Sequence, residues 1–300
     1  MIEPLGVALW ATNLSVPLNG IDAWAASVDE QMARARAQGA ELLVMPEYAA
    51  EQWLSFAPEL AGSEEISWLA EQAPRAMEAI ATLPARHGMA LLAGTMPVRV
   101  RNGGARFVNR AHLLLPDGRT FVQDKLCLTP PEKDPAGWLL AEGDALQIVE
   151  WRGLRLATVI CLDIELSALS TRLATCDLDL ILVPSMTEKL AGYARVFSCA
   201  KARAVELEVA VCAVGCVGSA ATSKPRESNT SGAAVYLPCE APLGHTGIVV
   251  QTPASDRADG AGVLTVARDL PLDAVRRLRR GAAEVWPGAW SAEHVVIRDG

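Results

Sequence analysis

Short apolar runs separated by turn residues constrain the architecture of this chain more than any single side chain does. "GVALWA" at 6–11, "ELLVMP" at 41–46, "MALLAG" at 89–94, "AHLLLP" at 111–116, "LRLATVI" at 154–160, "LDLILVP" at 178–184 and "EVAVCAVG" at 208–215 each have the length and the Val, Ile and Leu content of a buried strand. Segments of helical period lie between several of them: Ile21 to Gln38, Glu65 to His87, Glu165 to Thr175 and Glu188 to Leu207. Further strand-like runs follow at 232–238, 247–251 and 262–268. Strands alternate with helices in the first quarter and again around 154–215, whereas 89–124 and 232–268 read as neighbouring strands joined by turns. "PDGR" at 116–119 is one such turn, because Asp-Gly accepts positive φ at little cost. The pattern implies an α/β layered fold with mixed sheets.

With 300 residues, 51% of them hydrophobic and 21% charged, the chain can bury a large core. Two β-α-β-rich halves are visible, but no linker divides them, so residues 1–270 are expected to form one domain. Residues 271–300 are expected to form a C-terminal helix, at about 271–281, and a tail with Trp286 and Trp290 that packs on the domain or on a partner subunit. A net charge of −8 argues against a nucleic-acid partner. The basic run "RRLRR" at Arg276 to Arg280 reads as a solvated helix face. No window approaches the ~20 apolar residues needed to span a bilayer, and "MIEPLGVALWATN" lacks a basic leader, so a cytoplasmic protein without membrane contact is expected. Seven cysteines at scattered positions form no disulfide or zinc pattern. Cys212 and Cys216 in "CAVGC" read as core, and four histidines leave little material for a metal site, so no metal or cofactor is expected.

Reactive side chains stand at three strand ends, where α/β proteins gather function. Glu47 closes "LLVMPEY"; Lys125 and then Glu132 follow the hairpin strand in "TFVQDKLCLTPPE"; Cys161 ends "LATVIC". Cys161 has Asp163 and Glu165 just after it, and carboxylates repel a thiolate. A nucleophilic Cys161 therefore needs a cation and a base from elsewhere in the chain. Lys125 can offset the acidic neighbours or stabilise an oxyanion. Glu47, in an apolar pocket, can accept the thiol proton and return it to a leaving amine. Glu, Lys and Cys together form an acyl-transfer site without histidine. Asp163 and Glu165, at the start of the next helix, suit its N-terminal dipole and are expected to point away from the sulfur.

These residues resemble the nitrilase, or carbon–nitrogen hydrolase, superfamily, whose members carry a Glu–Lys–Cys triad in that chain order. The matches are "MPEY" around Glu47, "DKLCLTPPE" from Asp124 to Glu132, "ICLDIE" from Ile160 to Glu165, the strand, Pro-Ser loop and helix of 177–218, and "SGAAVYLP" at 231–238. The resemblance spans about residues 5 to 270. It implies a four-layer αββα sandwich, two mixed β-sheets flanked by helices. It also implies Glu47 as general base and acid, Lys125 as oxyanion stabiliser, Cys161 as nucleophile, Glu132 as a positioning glutamate, and the backbone N–H of Leu162 as second oxyanion donor. The implied reaction cleaves a non-peptide carbon–nitrogen bond of a small amide or carbamoyl compound through a thioester. Nitrile hydrolysis, acyl transfer to an amine, and a catalytically quiet interaction protein are the alternatives. Many amide-cleaving relatives have Tyr after the cysteine and nitrile-cleaving ones Trp then Glu; Leu162 and Asp163 match neither and count against a nitrile. Tyr48, Trp53, Trp138, Met186, Thr187 and Tyr193 flank the motifs and are candidate pocket residues. The resemblance also implies a homodimer or larger homo-oligomer.

Overall fold

Pleating sorts the strands of the first half into two cores. The computed structural model describes residues 3–102, 105–220, 222, 227–284 and 292–298. In β1 (Leu5–Thr12), Leu5, Val7, Leu9 and Ala11 join one hydrophobic cluster while Ala8 and Trp10 join another, because successive side chains leave opposite faces of a strand. β2 (Leu42–Val44) and β3 (Ala90–Asn102) divide in the same way: Leu42, Val44, Ala90 and Leu92 face one side, Leu43, Leu91 and Ala93 the other. Strands buried on both faces lose the apolar-polar alternation, which is why they stand out as continuous apolar runs.

β1, β2 and β3 are parallel and form a six-stranded sheet with the antiparallel β4 (Ala105–Leu114), β5 (Thr120–Asp124) and a late strand, Gly262–Leu270, beside β1. The second six-stranded sheet comprises β6 (Ile148–Trp151), β7 (Leu154–Thr158), β8 (Leu180–Ser185), β9 (Ala210–Gly215), β10 (Ser231–Tyr236) and β11 (Ile248–Ser255), in the reverse order β11-β10-β9-β8-β7-β6, with β7, β8 and β9 parallel. The late strand is β12. The inner faces of both sheets share one core. α1 (Ile21–Ala37), α2 (Gly62–Ile80) and α3 (Leu83–His87) cover the outer face of the first sheet through Trp24, Val28, Met32, Leu69, Ala76 and Leu83. After the short α4 (Pro130–Lys133), α5 (Ser167–Leu173) and α6 (Leu190–Glu206) cover the second sheet through Leu173, Val196, Phe197 and Ala200. The result is the expected four-layer α/β sandwich.

Several local readings change. The helical segment from Glu65 to His87 is two helices, because Pro84 suits the first turn of a new helix. The strands of 232–268 are not all neighbours: β12 leaves β11 and crosses to the first sheet. The run at Arg276 to Arg280 is a solvated face only in part, with Arg277 and Arg280 exposed. Arg276 in α7 (Leu272–Arg277) forms an ion pair with buried Asp179, and Arg279 in the next turn pairs with Asp177 at 2.8 Å and donates to the Glu208 carbonyl at 2.9 Å. With Leu272, Val275 and Leu278 buried on the same segment, these arginines anchor the C-terminal helix to the loop before β8. Trp286 and Trp290 lie outside the described residues. Among the described residues no helix is long and apolar enough to cross a membrane.

Candidate active site

The parallel strands of the two sheets end facing one another, and each end contributes a polar group. From the first sheet come Glu47, beyond β2, and Lys125, immediately after β5; from the second come Cys161, beyond β7, and Met186, next after β8. A bulge in β3 sets the first of these. Gly94, at φ 69, lies so near the Glu47 loop that a Cβ there would stand 2.3 Å from the Pro46 carbonyl oxygen. The next residue, Thr95, accepts a 2.9 Å hydrogen bond from the Tyr48 N–H through Oγ1. Tyr48 and Cys161 both take left-handed backbone conformations, φ 50 and 48, strain of order 1–3 kcal/mol each that functional turns retain.

Lys125 Nζ binds Glu47 Oε1 at 2.8 Å and both oxygens of Glu132, at 2.9 and 2.8 Å. All three side chains are buried. Glu132 is held further by the Thr129 N–H and hydroxyl, at 2.8 and 2.9 Å, and by the Tyr48 hydroxyl at 2.7 Å. Glu47 Oε2 accepts from the Met186 N–H at 3.0 Å, and the Cys161 thiol couples electrostatically to the Glu47 carboxyl. The Cys161 Sγ lies 3.6 Å from the Met186 carbonyl oxygen.

Burial and the charges set the protonation states. Burial raises the Glu47 carboxyl above its usual range, against the pull of Lys125. Burial also penalises charge on Glu132, but Lys125 and the hydrogen bonds outweigh it and hold the pKa below normal. The Lys125 ammonium survives burial because Glu47, Cys161 and Glu132 together hold its pKa above the ordinary value. Burial, and then the Glu47 charge, push the Cys161 thiol well up, with Lys125 opposing. The resting arrangement is therefore a neutral thiol beside a carboxylate of raised basicity, and the thiol needs that base to become a nucleophile.

Asp163 differs from its expected setting. It is buried in the 3-10 turn Cys161–Glu165, ahead of α5, and so does not serve the dipole of that helix. Its oxygens accept from the backbone N–H groups of Leu126 at 3.2 Å, Cys127 at 2.8 Å and Ile160 at 3.2 Å. Those bonds tie the lysine loop to the cysteine turn and oppose burial, which pushes the carboxyl up to about 7. Glu165 pairs with Arg195 at 3.1 Å.

The candidate pocket residues separate into two groups. Tyr48 and Trp138 stack edge to face, ring centroids 5.2 Å apart, and with Leu128 and Met186 form an apolar cluster beside Glu132. Thr187 is buried next to Met186, its hydroxyl donating to the Thr230 carbonyl at 2.8 Å. Trp53 lies instead in the helix-side core against Trp24, and Tyr193 stacks on Phe197 and accepts from Gln251, so neither joins the cluster. Leu162 is half-buried in the cysteine turn. Asn109 of β4, not singled out from the sequence, donates to Glu47 Oε1 at 2.8 Å. It lies two residues before the apolar run at 111–116, which the structure extends into β4. Among the described residues no group of three or more His, Cys, Asp or Glu is arranged to hold a metal ion.

A model of the family described as carbon-nitrogen hydrolase matches residues 17–270. The "Probable hydrolase YhcX" of Bacillus subtilis (strain 168) is 26% identical over 240 residues, which is 80% of this chain and 45% of that protein, so the chain spans less than half of that relative. An (R)-stereoselective amidase of Pseudomonas sp is 35% identical over 78 residues, 26% of this chain and 27% of that protein. An amidase of the nitrilase superfamily from Nesterenkonia AN1 has a similar fold, with a TM-score of 0.68 at 21% identity over 94% of this chain and 96% of that one. A structure of the E41Q mutant of that amidase carries the acetamide moiety of fluoroacetamide added covalently at its active-site cysteine.

Proposed function

This chain belongs to the carbon-nitrogen hydrolase family, and from that premise we propose that it hydrolyses a small carboxamide through a thioester on Cys161. The observation that carries the proposal is the buried Lys125 ammonium, bonded to Glu47 and Glu132 at 2.8 Å, with Cys161 Sγ 3.6 Å from the carbonyl oxygen of Met186, whose N–H donates to Glu47. Cys161 Sγ attacks the amide carbonyl carbon while its proton passes to Glu47. One Lys125 N–H serves Glu47 and a second is shared by the two oxygens of Glu132, which leaves the third to meet the oxyanion together with the Leu162 N–H. The C–N bond breaks as Glu47 returns the proton to nitrogen, and ammonia or an amine departs. Water then attacks the thioester, giving its proton to Glu47. The C–S bond breaks, the acid leaves, and the thiol recovers its proton. Glu132 acts through Lys125, holding the ammonium charged and in place. The amidase reading is favoured by the similarity to two amidases, one in sequence and one in fold.

The test is a panel of small aliphatic and aromatic carboxamides, N-carbamoyl compounds and nitriles, read by ammonia release and by mass analysis of the acid formed. Turnover of carboxamides with acid and ammonia in equal amounts is expected. Turnover confined to nitriles, or none across the panel, would overturn the proposal.

A further inference from the structure

We propose that Asn109 is a positioning residue that selects which face of Glu47 meets the Cys161 thiol and keeps that carboxylate ready to accept the proton; the inference rests on the cysteine reading above. Glu47 has two oxygens with separate partners. Oε1 accepts from Asn109 Nδ2 and Lys125 Nζ, both at 2.8 Å. Oε2 accepts from the Met186 N–H at 3.0 Å. With Oε1 held by two donors, the carboxylate cannot turn without breaking both bonds, so Oε2 stays on the N–H of Met186, the residue whose carbonyl oxygen lies 3.6 Å from Cys161 Sγ. Lys125 alone does not supply this constraint, since an ammonium on a flexible stem follows a carboxylate wherever it turns. Asn109 sits at a rigid position, fully buried inside β4.

Two further features point the same way. The Asn109 carbonyl accepts the Lys125 N–H at 2.9 Å, so one strand residue fixes the base through its side chain and the lysine through its main chain. The second amide hydrogen faces Glu132 Oε1, 3.5 Å from Nδ2, which sets the amide orientation: turned over, the oxygen would confront two carboxylates. Asn109 Oδ1 is buried and accepts no hydrogen bond from the described residues, so the two carboxylates alone dictate how the side chain is held.

Other charged or titratable groups lie around Glu47. Lys125 follows β5, Glu132 lies in α4, Cys161 in the 3-10 turn, Tyr48 and Glu51 on the segment after Glu47, and Cys216 after β9, with Sγ 3.3 Å from the Glu47 carbonyl oxygen. Among them Lys125 is the cation, whereas Asn109 donates to Glu47 without carrying charge or titrating. Removing Asn109 leaves these groups in place but withdraws one donor from the charged form of Glu47, which makes that form harder to reach.

The experiment follows the rate at which Cys161 is alkylated by iodoacetamide from pH 4 to 9, by peptide mass mapping, in the wild type, Glu47→Gln and Asn109→Leu. The wild-type rate is expected to fall on the acid side as Glu47 takes up a proton, and Glu47→Gln to lose that limb. In Asn109→Leu the limb is expected to move up by about one pH unit, the scale of a hydrogen bond to a charged group. Thermal melts check the fold, and Asn109→Ala, which removes the donor without adding bulk, is read in the same way. An acid limb unmoved in both folded variants would overturn the role of Asn109 while leaving the cysteine reading intact. A wild-type Cys161 with no acid limb, labelled no faster than the other six cysteines, would overturn both.

Discussion

Replacing Cys161 with Ala is expected to reduce ammonia release at least about 10⁴-fold while leaving the fold essentially intact, because the thiol is the group that forms the acyl bond in the proposed reaction. The structural cost is small. The change removes one sulfur with a long 3.6 Å contact to the Met186 carbonyl and an electrostatic coupling to Glu47. Relief of a buried thiol held beside a carboxylate offsets part of the lost packing, so the melting temperature should move by no more than a few degrees, equivalent to about 1 kcal/mol. Cys161→Ser keeps the shape but offers an alcohol, a far weaker acid than a thiol, and should also be nearly inactive. Ammonia assays beside thermal melts decide the matter. Turnover retained in the Ala variant would contradict the assignment.

Lys125→Met is expected to damage both activity and stability. The substitution leaves two buried carboxylates facing one another without their cation, and Glu47 and Glu132 are each almost wholly covered. Removing one partner from a buried ionic group costs about 3–5 kcal/mol, and loss of the oxyanion donor a further factor of about 10²–10³ in turnover. The two losses have different pH signatures. In the wild type the raised Lys125 pKa contributes stability that is fully present below the unfolded lysine value of about 10.4 and is lost only as the pH rises past it. In the variant the uncompensated carboxylates hold protons in the folded state that the unfolded chain releases. Stability should then fall as pH rises above about 4.3, the unfolded glutamate value. Denaturant melts from pH 4 to 8 measure this. A variant as stable at pH 8 as at pH 5 would show that Lys125 is not the counter-charge of both carboxylates.

The layered fold was legible because its central strands are buried on both faces and therefore write unbroken apolar runs into the chain. β6 was not: four residues at a sheet edge, with Glu150 exposed, carry no such run. The crossing of β12 to the other sheet was equally hidden, since a turn between adjacent strands looks alike whether or not the second joins the first. Glu47, Lys125 and Cys161 are legible because each stands just past a strand end, and Glu132 because it follows Lys125 by seven residues; the structure brings all four together. Residues chosen for nearness in sequence fared differently. Trp53 follows Glu47 closely, but the intervening 3-10 turn carries it into the helix-side core, and Tyr193 stacks one turn inside α6. Asp163, Arg276 and Arg279 have partners distant in sequence, Leu126 and Cys127 for the first, Asp179 and Asp177 for the two arginines, and no local pattern announces such pairings. Asn109 was overlooked for the same reason: its meaning lies in two carboxylates carried by other elements.

The central claim, that Glu47 and Lys125 make a buried Cys161 the reactive nucleophile, is tested most directly by treating the whole protein with fluoroacetamide at neutral pH and mapping the adducts by mass spectrometry. Access alone favours Cys239, which is exposed, and then the half-buried Cys127, Cys176 and Cys199, over Cys161. A single acetamide adduct on Cys161, formed before any other, is the expected result. Adducts on Cys239 and the half-buried cysteines with Cys161 unmodified would contradict the account.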